Sequence, residues 1–170
     1  MGDNKSEKKD LEKIAKLLEK INMEFTFFDL KYAQDEVHPA IHTSYKAEGK
    51  EFDVIIRSYS QKDLGKWINM RCFVFNTSEL DTETANKVFK LCLQLNYFLP
   101  ETTFSWFDEK IFIESDMPID VSLDDFKFEL KGLSLGLENL THHFKSLGLT
   151  IDPTKDTMLL DYSFLEMTWE

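Results

Sequence analysis

From Phe126 to Leu147 one apolar stripe repeats without a gap. Phe126, Leu130, Leu133, Leu137, Leu140, Phe144 and Leu147 fall at alternating spacings of four and three. Residues so spaced lie on one side of an α-helix, so this segment has to be a helix that buries that side against another layer. Ser122-Leu-Asp-Asp125 opens it as a capping box, and Gly148 followed by Leu149 is a Schellman-type stop. Gly132 and Gly136 lie inside it on one edge of the stripe. Each costs about 1 kcal/mol relative to Ala in a helix interior, so a close-packed neighbour, or else a local kink, is expected there.

A second helix is expected over Thr82–Leu99, capped by Ser78 or Asp81 with Ser78-x-x-Asp81 as a capping box, and stopped by Pro100. Ala85, Val88, Leu91, Cys92, Leu95, Phe98 and Leu99 fill one broad arc; Phe89 and Leu93 widen it, and Tyr97 lies beyond. Covering a sheet needs a stripe only somewhat over ~100° wide. Phe89 and Leu93 are therefore surplus to sheet packing and, with Tyr97, are the expected homodimer interface. The competing cover is the chain's own apolar tail, residues 158–169.

Around these two helices the chain alternates in period. A first helix is expected over Ser6–Asn22, with Leu11, Ile14, Leu18 and Ile21 on one stripe and Leu17 beside it. Glu24–Leu30 is an aromatic-rich strand candidate, and Gln34–Pro39 reads as a loop. Ile41–Ala47 and Phe52–Tyr59 form a hairpin around Glu48-Gly49-Lys50, with Gly supplying positive φ. The next strand is Trp67–Phe75. Trp67, Asn69, Arg71, Phe73 and Phe75 share one face, and the wholly apolar set Ile68, Met70, Cys72 and Val74 should face the core. Thr102–Phe107 and Ile111–Glu114 flank Asp108-Glu109-Lys110 as a last hairpin ended by Met117-Pro118. The order, α-β-β-β-(β)-α-β-β-α plus a C-terminal tail, predicts an α+β two-layer sandwich: an antiparallel sheet with helices packed on it. Residues 1–149 make one domain, and 150–170 an apolar extension packed on it or on a partner.

Few chemistries survive the composition. The chain has 170 residues, a net charge of −11 and fifteen Phe. That is ample for a core, and the acidity opposes a phosphate backbone, so nucleic acid is not expected. The aromatics Trp67, Phe73, Phe75, Phe104, Trp106 and Phe107 suggest a stacking platform, but such platforms need cationic grooves, and the nearby cations are few, chiefly Arg57, Lys66 and Arg71. No apolar run is long enough to span a bilayer, and the N-terminus lacks a secretory h-region; a cytoplasmic protein without membrane association is expected. Cys72 and Cys92 read as buried thiols of a reducing compartment. His38 and His42 have no ligand-spaced carboxylate or Cys beside them, and His142 and His143, ~100° apart on a helix, better complement its C-terminal dipole than share an ion. Asp124 and Asp125 suit capping, and Glu114 and Asp116 a solvated hairpin end. Without a nucleophile elbow, P-loop or GxGxxG, neither catalysis nor a metal or other cofactor is expected.

Taken together, Leu11–Ile21, the strand block Ile41–Phe75, VFKLCLQLNYFL at 88–99, FSWFDEKIFIES at 104–115 and SLDDFKFEL at 122–130 give the chain a likeness. It resembles the YbjN-like proteins and the class I type III secretion chaperones, which share a two-layer fold. That resemblance implies a dimeric, non-catalytic binding protein whose middle helix contributes to the dimer interface. It also implies that apolar residues of the first helix and the sheet, here Leu17, Phe25, Phe27 and Trp67, hold an extended segment of a partner protein. The alternative is a small-ligand or enzymatic α+β domain with a site assembled from distant residues in a cleft between sheet and helices.

Overall fold

The computed structural model describes residues 4–31, 37–61, 63–99 and 101–150. They form α1 (Asn4–Lys20), β1 (Phe25–Lys31), β2 (Val37–Ala47), β3 (Lys50–Gln61), β4 (Gly65–Asn76), α2 (Thr82–Phe98), β5 (Thr103–Phe107), β6 (Lys110–Pro118) and α3 (Leu123–Ser146). The strands make one antiparallel sheet in the order β1-β2-β3-β4-β6-β5. Short loops force neighbours in sequence to pair. The exception is α2, which carries the chain past one strand position to β5; the β5–β6 hairpin then folds β6 back beside β4. The expected α+β layer of helices on an antiparallel sheet is the one adopted. The apolar tail lies outside the described residues from position 151 on.

All three helices feed one core. Leu11, Ile14 and Leu18 of α1, Val88, Cys92 and Leu95 of α2, and Phe126 to Phe144 of the α3 stripe meet Ile41, Val54, Ile56, Ile68, Met70, Cys72, Val74, Ile111 and Ile113 of the sheet. The alternation read in β4 therefore holds for its inward set. Phe75 departs from it. Phe73 pairs with Phe112 but Phe75 with the next residue, Ile111, so one extra residue is bulged into β4. A bulge reverses the alternation. Phe75 turns to the helix side and meets Phe144 of α3 edge-to-face at 5.0 Å.

Local chemistry sets the corners. Glu48-Gly49 is a two-residue turn, shorter by one than the loop read there, with φ 50° and 76° and Ala47 paired to Lys50. Asp108-Glu109 makes a similar turn with φ 47° and 60° and no glycine. Its strain is offset by Thr77, whose backbone N–H and hydroxyl both donate to the Glu109 carbonyl, at 2.6 and 2.8 Å. Val37–Pro39, read as loop, begin β2. There His38, Pro39 and Ala40 pair with β1 alone, a place where a residue without an N–H is tolerated. α3 ends as expected, with Leu149 N–H on the Phe144 carbonyl and Gly148 N–H on that of Lys145.

The two helical glycines mark close approaches, not a kink. A Cβ on Gly136 would stand 2.2 Å from Ile113 Cδ1, and one on Gly132 3.0 Å from Glu101 Cβ. At the other end of the sheet, Asp10 of α1 is buried and accepts from Lys66 Nζ at 2.6 Å and from Ser58 Oγ at 3.5 Å. Lys66 also reaches Ser6 Oγ. This pins the start of α1 to the β3–β4 turn.

Candidate protein-docking surface

Asp81 starts α2. Its carboxylate accepts from Thr84 N–H at 2.9 Å and from Thr84 Oγ1 at 2.7 Å, which holds its pKa below the ordinary carboxylate value. The Ser78–Asp81 capping box does not form; Ser78 N–H instead bonds Asn76 Oδ1. From this start only Val88, Cys92 and Leu95 turn fully inward. The face left over is apolar. Phe89 is half-buried, while Leu93 is 69% and Tyr97 86% exposed. Phe98, read as part of the buried arc, is 73% exposed. It falls ~80° from Val88 on the last helical turn, beyond what the sheet can cover. The core needs a narrower arc than the apolar residues occupy.

β5, at the sheet edge, extends this surface. Trp106 meets Phe89 edge-to-face at 5.4 Å and is itself 54% exposed. Its indole N–H donates to Thr77 Oγ1 at 3.1 Å, which fixes the ring. Asn96 locks α2 to β5: its Nδ2 donates to the Phe104 carbonyl at 2.9 Å, and Phe104 N–H donates to its Oδ1 at 2.6 Å. A side-chain amide thus behaves as one residue of an added strand. Tyr97 and Phe98 continue the patch in edge contact at 5.2 Å. Trp106 and Asn96 escaped sequence reading as parts of one surface, because their proximity depends on the skipped strand position.

The other proposed contact residues divide. Leu17 and Phe25 are partly buried against the core. Phe27 is 46% exposed on β1, the opposite edge strand, 5.8 Å from the Phe25 ring. Both Phe side chains share the helix-side row, since they pair with Thr43 and Ile41. Trp67 belongs to the other face of the sheet; its indole N–H donates to the Leu64 carbonyl at 3.0 Å. A shallow groove of about 540 Å³ follows the start of β1, lined by residues 23–26 and 42–44.

The face without helices carries a polar row. Tyr59 OH donates to Asp116 at 3.0 Å, Asn69 Nδ2 to Asp116 at 3.1 Å and to Glu114 at 3.3 Å. Arg71 and Ser105 also donate to Glu114, and the Arg71 guanidinium lies 5.3 Å over the Phe112 ring. Glu114 is therefore largely enclosed and not the solvated hairpin end read from sequence, whereas Asp116 is exposed as that reading has it. Burial raises the pKa of Asp116 above the ordinary carboxylate value, and burial with the nearby Asp116 charge raises that of Tyr59. The aromatic residues make no single platform: Phe104 and Phe75 join the helix side, Phe73 the other. His42 pairs with Asp53 at 2.7 Å and His38 with Glu7 at 3.0 Å, so the two imidazoles serve separate partners. Among the described residues no three His, Cys, Asp or Glu side chains cluster as metal ligands. Both cysteines are free and buried, and burial pushes the Cys92 thiol up to about 12. No described helix is long and apolar enough to cross a membrane. No family model matches the chain, and no curated protein matches it.

Proposed function

We propose that this chain is a non-catalytic, chaperone-like protein-binding module. It pairs with a second copy through the α2–β5 surface and holds an extended segment of a partner protein along the β1 edge. The observation that carries this reading is the apolar patch Trp106–Phe89–Leu93–Tyr97–Phe98, which is solvent-facing among the described residues. Contiguous exposed apolar surface marks an interaction site, and a ring fixed by its own hydrogen bond loses little freedom on docking. A closed dimer brings the same patch of both copies together about a two-fold axis. Among the described residues β1 pairs with β2 alone, which leaves an edge beside Phe27 and Phe25 of the kind that strand addition uses. The polar row on the opposite face spends its hydrogen bonds internally and gives a catalytic reading no support.

Leu93→Asp with Tyr97→Asp tests the pairing. Both side chains are exposed, so the variant folds, and light scattering should show the unaltered protein as a dimer and the variant as a monomer. A monomeric unaltered protein at every concentration would sink the proposal.

A further inference from the structure

The sheet is buried on a side where no described element lies. α1, α2 and α3 all pack on the face that carries Ile56, Met70, Cys72 and Ile113. Ile55, Phe73 and Phe112 point the other way, with Ile55 paired to Arg71 and Phe73 to Phe112. A large side chain on an uncovered antiparallel face keeps much of its surface in water. Yet Phe112 is 1%, Phe73 4% and Ile55 7% exposed. The Arg71 guanidinium lies over the Phe112 ring, but Arg71 and its partner Glu114 are themselves largely enclosed, so a further layer covers them all. That layer has a limit. Asp116, toward the β3–β4 turn, is exposed, so the cover lies over the half of the face nearer the β2–β3 turn.

We propose that the C-terminal segment, residues 158–169, docks on this face of its own chain and closes it as a third layer. Reach selects this occupant. Apart from 151–170, the chain outside the described residues is 1–3, 32–36, 62 and 100. Residues 32–36 are tethered at both ends, and out and back they reach about 10 Å, short of β6, three strand spacings of about 4.8 Å beyond β2. Residues 1–3 precede the end of α1 that Lys66 holds at the β3–β4 turn, the wrong half of the face. α3 instead brings the chain to the covered half. Lys145 Nζ donates to Glu48 of the β2–β3 turn at 3.2 Å, shortly before α3 ends. From there residues 151–157 span up to about 23 Å, enough to round the end of the sheet and reach Phe112, two strand spacings from β3. Composition agrees: Leu160, Tyr162, Phe164, Leu165, Met167 and Trp169 supply apolar cover, and Asp161 and Glu166 suit Arg57 and Arg71 of this face. The segment is then spent here and does not cover Phe89 and Leu93, which stay open to a second copy. The docking itself does not rest on that pairing.

NOE spectra of the unaltered protein decide the contact. The Phe73 and Phe112 rings should show NOEs to side chains of residues 158–169. Those NOEs should be lost in an isotope-filtered spectrum of mixed labelled and unlabelled chains, which passes only contacts between copies. Rings without NOEs to this segment would overturn the proposal. So would NOEs that survive the filter, since a second copy would then be the cover. Phe164→Asp with Leu165→Asp reads the consequence: the Phe112 ring should lose its shielding from a soluble gadolinium chelate. A folded variant whose Phe112 ring stays as shielded as in the unaltered protein would also overturn the proposal. Should the variant not fold, the spectra of the unaltered protein decide alone.

Discussion

Glu109 is the residue most at odds with its own backbone. It sits at φ 60° in the two-residue turn between β5 and β6, where a side chain costs about 1–2 kcal/mol and glycine next to nothing. Its side chain is exposed, and what the fold uses is its carbonyl, the acceptor for both Thr77 donors. Glu109→Gly keeps that carbonyl and relieves the strain, less the greater freedom glycine has when unfolded. The expected gain is about 0.5–1 kcal/mol, read as a melting temperature about 1–4 °C higher. A lower melting temperature would mean that the Glu109 side chain matters in a way its exposure does not suggest. Gly136 is the converse case: conformation does not require glycine there, but the Ile113 methyl leaves a Cβ no room.

The placement of α1 rests on a contact between distant parts of the chain. Asp10 is buried, whereas the Lys66 side chain is 39% exposed, so the two partners suffer unequally when separated. Removing Lys66 leaves a buried carboxylate with Ser58 Oγ at 3.5 Å and, at 3.8 Å, the exposed Lys13. Removing Asp10 leaves an ammonium that can turn to water. Lys66→Ala should therefore cost more, about 2–3 kcal/mol, than Asp10→Ala, about 1–2 kcal/mol, in denaturant melts; the reverse order would show the ion pair to be incidental. Nothing in sequence joins these residues, because the spacing of 56 says nothing about which turn a helix end reaches. What sequence does reveal is local. The α3 stripe, its caps and the inward set of β4 follow from period and punctuation, and the layered α+β order from short loops. Phe75 was misplaced because a bulge leaves period-2 alternation unmarked. Phe98 was misplaced because apolar character does not say how wide an arc the sheet will cover. The candidate surface was half legible: α2 showed its excess of apolar residues, while Trp106 joined them only through strand order.

For the whole molecule, acidity and burial pull on stability together. With a net charge of −11, every further ionisation adds repulsion to the folded state. Asp116 and Glu129 add a separate effect, since burial raises both above their ordinary values of 3.8 and 4.5. A carboxyl with a raised pKa keeps its proton in the folded chain where the unfolded chain has lost it. The folded state then binds more protons, and stability falls as pH rises from the ordinary values through the raised ones. Asp81 works the other way. Its depressed pKa contributes stability above its ordinary 3.8 that is lost as pH falls through the lowered value. The melting temperature should thus be highest in mild acid, decline toward pH 8 and drop again below about pH 4. Salt separates the two causes of the alkaline decline. At 0.5 M the Debye length is ~4 Å, which removes most surface repulsion but little of the desolvation effect at Asp116 and Glu129. Asp116→Asn combined with Glu129→Gln, which preserves the acceptors used by Tyr59, Asn69 and Ser115, should flatten the decline that persists in high salt. If the decline vanishes in salt for the unaltered protein, surface repulsion alone produces it, and Asp116 and Glu129 are ordinary acids.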